Sequence, residues 1–180
     1  MTDRTFSSVA AATLAALLFA GCARTDSPGA DGAALKMGLM PKLMGISYFN
    51  ASEKGAREAA GELSVDLTYD GPSVDSAEEQ VKMVDRWIAQ GYDMIAVAPN
   101  DPELIAPALR RAKRAGITVL TWDADANPQS SERETFVNQA PVDEIGTTLV
   151  DILGEALGGS GKTVIVTGSA TSPNQNAWIK

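Results

Sequence analysis

The strongest constraint on the fold of this chain is a regular alternation of two patterns. Short apolar runs of strand-forming residues alternate with amphipathic stretches of helical periodicity, and each pair spans about 25 residues. Turn signals rich in Gly, Pro, Asn and Asp separate the two patterns. Strands that alternate with helices form a parallel sheet covered by helices on both faces. We therefore predict an α/β fold with a doubly wound parallel sheet.

The individual elements follow from these patterns. The predicted strands cover residues 36–40, 65–69, 94–98, 117–122, 135–138 and 163–167, and the predicted helices cover residues 50–63, 76–90, 102–115 and 141–157. Asp101 precedes Pro102 and is a predicted N-cap, and Asn50 or Ser52 is predicted to cap the first helix. Trp87 lies on an apolar helical stripe and is predicted to be core, whereas residues 127–134 are predicted to form a polar loop.

The fourth predicted strand runs directly into Trp122, Asp123 and Asp125. In an open parallel sheet, ligands bind outside the carboxyl ends of the strands. Lys42 follows the first strand, and amides or acids follow the second, third and fifth strands at 70, 100, 101, 138 and 139. One cation among acids, amides and aromatic rings suits a neutral polyhydroxylated ligand. We expect Asp123 to bind ligand hydroxyls, Trp122 to contact the ligand beside it, and Lys42 to pair with Asp123.

The two carboxylates of Asp123 and Asp125 allow other interpretations. They could serve a metal-dependent strand-end aspartate enzyme, either a phosphatase or a sugar transferase, or they could form a solvated turn. In the ligand-binding interpretation, Asp125 is turned away from the cleft. The run from Gly158 to Thr163 resembles a phosphate-binding loop, but it follows a helix, precedes a strand and has Ala156 where glycine is required. We predict a helix-terminating turn there.

Two further segments have two interpretations each. Tyr48 and Phe49 precede the first predicted helix, where they could form a hydrophobic staple or Phe49 could line the cleft. Asn174 and Gln175 belong to an amide-rich stretch before Trp178. They could belong to a polar loop that caps a following helix, or they could form the second side of the cleft, opposite Asp123.

Charge and the amino terminus limit the class of protein. A net charge of -8 argues against nucleic acid as a partner, and the absence of histidine excludes sites built on imidazole. Residues 1–22 combine Arg4, a short apolar run and a lipobox-like end at Cys22, which predicts a lipoprotein signal peptide with lipidation of Cys22. Residues 23–35 are predicted to be a flexible tether.

Five stretches together resemble a known family. The chain is similar to the substrate-binding proteins of sugar ABC transporters with the type I periplasmic-binding-protein fold, in the branch of the autoinducer-2-binding and rhamnose-binding proteins. The similarity covers residues 36–180 in unbroken order. It is carried by Met40-Pro41-Lys42-Leu43, Asp66-Leu67-Thr68-Tyr69-Asp70-Gly71-Pro72, Gln90-Gly91-Tyr92-Asp93, Val119-Leu120-Thr121-Trp122-Asp123-Ala124-Asp125 and Asn174-Gln175-Asn176-Ala177-Trp178.

The resemblance implies two lobes that close on a sugar-like ligand, with no catalysis and no cofactor. Residues 36–138 are expected to form the first lobe, and residues 139–180 the start of a truncated second lobe. Lys42 and Asp123 are expected to bind ligand together with Asn174 and Gln175. Asn174 stands where the autoinducer-2 binders have a carboxylate, which leaves rhamnose or another sugar open. The expected partners are an ABC permease and ATPase, with the protein outside the cytoplasm and held at the membrane only through its lipid anchor.

Overall fold

The computed structural model describes residues 34–180. A five-stranded sheet with the order β2-β1-β3-β4-β5 lies at its centre, and every pairing is parallel. The strands are β1 Lys36–Met40, β2 Asp66–Tyr69, β3 Met94–Val97, β4 Thr118–Trp122 and β5 Thr135–Val137. The helices are α1 Ser47–Leu63, α2 Ala77–Ala89, α3 Pro102–Arg114, α4 Pro128–Ser131, α5 Val142–Ala156 and α6 Pro173–Trp178. The predicted α/β fold is therefore confirmed.

The strand order creates one point where the direction of winding changes. The chain passes from β1 outward to β2 and then returns to the other side of β1, where β3 pairs in the register Met37 to Met94 through Met40 to Val97. At such a switch point the loops that leave the two strands run in opposite directions and open a crevice. The segments that begin at Pro41 and Ala98 therefore border the crevice.

The core lies between the sheet and helices α2 and α3. Trp87 is 1% exposed and stacks on Tyr92 with a distance of 5.3 Å between ring centroids, so its predicted core role is confirmed. Burying side chains of this size supplies the main favourable term in folding. The remaining large core residues come from β1, α2, β3, α3 and β4, namely Met40, Val84, Ile95, Val97, Ile105, Leu109 and Val119.

The predicted and observed helix starts agree where a side chain caps the first turn of the helix. Asp101 accepts hydrogen bonds from the backbone N–H groups of residues 103 and 104, as predicted. Helix α1 instead begins at Ser47, after Ile46, with no side-chain cap, so the prediction of Asn50 or Ser52 as its N-cap was wrong. The polar stretch at 127–134 contains the short helix α4, because Asn127 caps it and Pro128 occupies its first position.

The predicted sixth strand was wrong. Residues 163–167 form no strand, and the side chains of Val164 and Val166 are 88% and 91% exposed. A strand needs a neighbour that completes its hydrogen bonds, and no other strand within residues 34–180 lies beside this segment. The glycine turn before it is confirmed as helix-terminating, because Gly158 and Gly159 have positive φ and bond back to the last turn of α5.

Helix α5 has no buried residue. Its large apolar side chains and those of residues 163–167 border a cavity of about 690 Å³. We call this set the uncovered apolar face, and it consists of Leu149, Val150, Ile152, Leu153, Val164, Ile165 and Val166. A contiguous patch of exposed apolar side chains usually marks a surface that other protein covers.

The predicted signal peptide, the lipidation of Cys22 and most of the predicted tether lie outside the described residues. In the part of the chain that the structure describes, no helix has both the length and the hydropathy needed to cross a bilayer.

We expect Gly38→Ala to lower the free energy of unfolding by about 1–3 kcal/mol, because overpacking a buried site forces strain. A Cβ at Gly38 would lie 2.5 Å from Cε3 of Trp87. The matched control is Gly55→Ala in exposed α1, where a Cβ meets no atom within 4 Å. This control should raise stability by about 0.5–1 kcal/mol. Urea unfolding of both variants tests the packing, and equal effects would contradict it.

Candidate functional site

A cavity of about 340 Å³ lies at the carboxyl ends of the strands. Its lining comes from the loops after all five strands, the first turn of α1, and the segment from Gly168 to Trp178. The predicted residues Lys42, Phe49, Asp123, Asn174 and Gln175 all border it. The other lining residues are Leu43, Ile46, Tyr48, Asp75, Asn100, Gln139, Gly168, Ser169, Ser172 and Trp178. The structure thus brings together residues from both ends of the described chain.

Lys42 is the centre of a polar cluster in this cavity. Its Nζ donates to Oδ1 of Asn174 at 2.6 Å and to Oγ of Ser172 at 2.8 Å. The same Nζ lies 3.5 Å from Oδ2 of Asp123, so the predicted pairing is confirmed. Asn174 also directs Nδ2 toward Asp123, with donor to acceptor distances of 3.4 and 3.5 Å. The ammonium group therefore has three acceptors, one for each of its protons.

The backbone of Asp123 adopts an uncommon conformation. Its φ is +61°, and the N–H of Ala124 donates across it to the carbonyl of Trp122 at 2.6 Å, which forms a γ-turn. The N–H of Asp123 donates to the carbonyl of Val137 at 3.1 Å, which ties the turn to the end of β5. Asp tolerates positive φ better than most residues do, yet the conformation still costs energy. This turn directs the carboxylate back over the strand ends toward Lys42.

Burial controls the protonation of this cluster. It lowers the pKa of Lys42, and the negative charge of Asp123 opposes that shift. It raises the pKa of Asp123, while Lys42 and a hydrogen bond with Tyr48 oppose the rise. Burial and the charge of Asp123 together raise the pKa of Tyr48 to about 12. Removing water from the pair thus costs energy that its mutual attraction only partly offsets.

Aromatic rings form one side of the cavity. Phe49 is buried and meets Tyr48 and Trp122 edge to face, with ring centroids 5.1 and 5.6 Å apart. Because α1 begins at Ser47, both Tyr48 and Phe49 belong to its first turn, which excludes a staple ahead of the helix. Trp122 was expected to contact the ligand, but it does not border the cavity, because its Nε1 is directed to the carbonyl of Met40 at 3.1 Å. Trp122 thus supports the Phe49 ring from behind.

The amide-rich segment forms the opposite side. It folds as helix α6 rather than as a loop, with Pro173 in its first position. Oε1 of Gln175 accepts hydrogen bonds from Oγ1 of Thr167 at 2.6 Å and from the N–H of Gly168 at 2.7 Å. Gln175 therefore borders the cavity while its oxygen organises the loop before α6.

Asp125 is turned away from the cavity. Its carboxylate accepts two hydrogen bonds from Arg133, at 2.8 and 2.5 Å, and one from Oγ1 of Thr121 at 2.5 Å. Bidentate pairing of this kind leaves little capacity for another ligand. Within residues 34–180, no three His, Cys, Asp or Glu side chains cluster closely enough to hold a metal ion.

Four polar cavity residues were not predicted from the sequence. Ser172 is buried and contacts Lys42 across 130 residues of chain, and Tyr48, Asp75 and Ser169 also border the cavity. A signal existed only for Ser172, because Ser before Pro is typical of a helix start. Tyr48 lies in a helical turn, and Asp75 lies in a loop with no periodic pattern.

Comparison with known proteins gives a consistent result. A family profile described as a periplasmic binding protein domain matches residues 37–180. A D-ribose/D-allose-binding protein of Pseudomonas aeruginosa is 27% identical over 97 residues, which are 52% of this chain and 30% of that protein.

Solved structures of similar fold include sugar-bound proteins. An ABC transporter solute-binding protein from Clostridium phytofermentas with bound L-rhamnose has a TM-score of 0.77 and 33% identity, covering 82% of this chain and 45% of that one. A protein from Clostridium saccharobutylicum in complex with AI-2 has a TM-score of 0.70 and 29% identity, covering 79% and 46%. A solute-binding protein from Burkholderia graminis in complex with D-arabinose has a TM-score of 0.76 and 29% identity, covering 83% and 50%. The chain spans half or less of the length of each.

We expect Asp123→Gly to be more stable than Asp123→Ala by about 1 kcal/mol, because only glycine adopts positive φ without strain. The matched control is the same pair of substitutions at Asp125, whose φ is not positive. There the order should reverse, since glycine costs more chain entropy on folding. Urea unfolding of the four variants measures both differences. The same order at both positions would contradict the role of the Asp123 backbone.

Proposed function

The chain belongs to the periplasmic binding protein domain family, and from that membership we propose that it is part of an extracytoplasmic solute-binding protein of an ABC importer. In this proposal it binds a small sugar or sugar-like molecule and delivers it to a permease. The observation that carries the proposal is the cavity at the carboxyl ends of the strands, with the buried Lys42 and Asp123 pair beside the aromatic ring of Phe49.

The chemistry of the cavity supports a neutral ligand with several hydroxyl groups. The ammonium of Lys42 and the carboxylate of Asp123 compensate each other in charge, so an added ionic group would lack a counter-ion. The carboxylate and the amide of Asn174 can accept and donate hydrogen bonds to hydroxyls, while Phe49 offers an apolar surface. Asn174 supplies no negative charge, which favours a sugar such as rhamnose over autoinducer-2 in this proposal.

The proposed mechanism is closure of two lobes over the ligand. We assign residues 36–138 to the first lobe and residues 139–180 to the start of the second. Contacts from Lys42 to Ser172 and Asn174 supply the link between the two parts. The uncovered apolar face supports the assignment, because a second lobe would bury it. A ligand that contacts Lys42 and Asp123 on one side and Asn174 and Gln175 on the other would favour the closed state.

The proposal includes an anchor and partners. Cys22 would carry the lipid as the first residue left after removal of residues 1–21, and residues 23–35 would tether the lobes to the outer surface of the cytoplasmic membrane. The ABC permease and ATPase would supply transport and energy. The protein itself would carry out no catalysis, and the engagement of Asp125 with Arg133 supports this view.

A ligand panel tests the proposal in the intact protein. L-rhamnose, D-arabinose, D-ribose, D-allose and AI-2 are each titrated by calorimetry and by thermal shift. We expect at least one of them to bind and to raise the melting temperature more than magnesium chloride does. Asp123→Asn should weaken that binding about 10- to 100-fold, because it removes a charged acceptor.

The matched control is Asp125→Asn, which removes a carboxylate that does not border the cavity. This variant can lose stability through Arg133, but its affinity for the sugar should stay within about threefold of the wild type because Asp125 makes no ligand contact. Stabilisation by magnesium and by none of the sugars would overturn the proposal in favour of the metal-dependent enzyme.

The affinity for the sugar should fall as the pH falls through the raised pKa of Asp123, above the ordinary value of 3.8. Protonation removes a hydrogen-bond acceptor from the ligand. The stability of the ligand-free protein changes in the opposite direction. A carboxyl whose folded-state pKa is raised stabilises the fold at low pH, and that contribution is lost as the pH rises through this pKa.

The measurement compares wild type with Asp123→Asn across the acid range, by calorimetry for affinity and by urea unfolding for stability. The difference between the two proteins isolates Asp123 from the other carboxyls. Identical pH profiles would show that Asp123 does not titrate in the cleft.

A further inference from the structure

A fully buried amide lies beneath the cleft. Gln80, on α2, has 0% of its surface exposed, which is uncommon for this residue type. Its Nε2 donates to the carbonyls of Ala98 at 2.8 Å and Pro41 at 3.3 Å. Its Oε1 accepts from the N–H of Asn100 at 2.9 Å. Every polar atom of the side chain is therefore used, and all its partners are backbone groups just past the ends of β1 and β3.

Gln80 continues the connection between the two strands beyond their hydrogen-bonded ladder. The last backbone bond between them runs from the N–H of Ala98 to the carbonyl of Met40 at 2.8 Å. Pro41 follows, and proline has no N–H to donate. The two segments separate there, which leaves buried carbonyls that need donors. Gln80 supplies those donors and holds the segments together where the crevice opens.

Asn100 extends this connection to Lys42. Its Nδ2 donates to the carbonyl of Lys42 at 3.0 Å, and the Asn100 side chain is itself buried. The carbonyl of Asn100 accepts a hydrogen bond from Oγ1 of Thr171 at 3.2 Å. One continuous set of hydrogen bonds thus joins α2 to the backbone of Lys42 and to the segment that carries Ser172. No other polar side chain within the described residues bonds to the Lys42 carbonyl.

We propose that Gln80 and Asn100 are positioning residues that hold the backbone of Lys42, and through it the ammonium group, at the bottom of the cleft. The contacts of that group depend on its position, because hydrogen bonds weaken steeply as distance and angle depart from ideal values. The contribution to sugar affinity rests on the proposed function, whereas the effect on Lys42 can be measured without any ligand.

The first measurement follows Lys42 itself in the ligand-free intact protein. Competitive labelling with acetic anhydride and mass spectrometry gives the reactivity of its amine relative to Lys54, which is exposed on α1. Gln80→Leu removes all three hydrogen bonds of the amide at similar volume. Asn100→Ala removes the bond to the Lys42 carbonyl but keeps the backbone bond to Gln80. Each should raise the relative reactivity about tenfold, the equivalent of one lost hydrogen bond of about 1.4 kcal/mol.

The matched control is Val84→Ala, one turn further along α2 and fully buried in the core. It should lower the melting temperature while leaving the relative reactivity of Lys42 unchanged. This comparison separates loss of position from general loss of stability. Unchanged reactivity in both Gln80→Leu and Asn100→Ala would overturn the proposal. If Gln80→Leu fails to fold, Asn100→Ala alone decides the outcome.

The second measurement is the affinity for whichever sugar of the panel binds the wild type. Both variants should weaken it about tenfold, whereas Val84→Ala should stay within about twofold. Raised reactivity with unchanged affinity would confirm the effect on Lys42 and overturn its importance for binding. A wild type that binds no sugar would count against the proposed function, while the labelling result would still decide the positioning role.

Discussion

The cleft depends on the place where hydrogen bonding between β1 and β3 ends. Parallel strands have evenly spaced bonds, and the ladder continues as long as each residue supplies its N–H and carbonyl. Pro41 interrupts the ladder directly after β1. The segments that follow β1 and β3 then run in opposite directions and separate. The crevice is the space that this separation leaves. Lys42 and Asn100 therefore face each other across a gap that the sheet itself creates.

The ion pair between Lys42 and Asp123 places polar groups in the cavity at the expense of stability. Lys42 and Asp123 are largely withdrawn from water. Burial lowers the pKa of Lys42 and raises the pKa of Asp123, and each shift favours the neutral form. A hydrophobic pair of similar size would be at least as stable in many proteins. The pair retains directional hydrogen-bonding capacity in a largely buried position, where a hydrogen bond is stronger than in water. Its retention is physically consistent with a binding role rather than with a structural one.

Much of the fold and part of the site could be predicted because the signals were local. The alternation of apolar runs and helical stripes gave the parallel sheet, and the carboxyl ends of its strands gave Lys42 and Asp123. The segment at 163–167 has the composition of a strand, but composition cannot supply the neighbour that a strand needs. Gln80 and Ser172 were missed because the partners of Gln80 lie 18 to 39 residues away along the chain and Lys42 lies 130 residues from Ser172. Their roles arise only from tertiary contact.

The left-handed backbone of Asp123 limits how this cleft can change over evolutionary time. Only Gly, Asn and Asp adopt such a conformation readily, and Gly offers no side chain. Most single-step substitutions at this position would thus damage the turn before they altered selectivity. The segment at 172–175 contains no residue with positive φ, so its substitutions are limited by the contacts of Ser172 and Asn174 with Lys42 rather than by backbone conformation. The two sides of the cleft are therefore constrained in different ways.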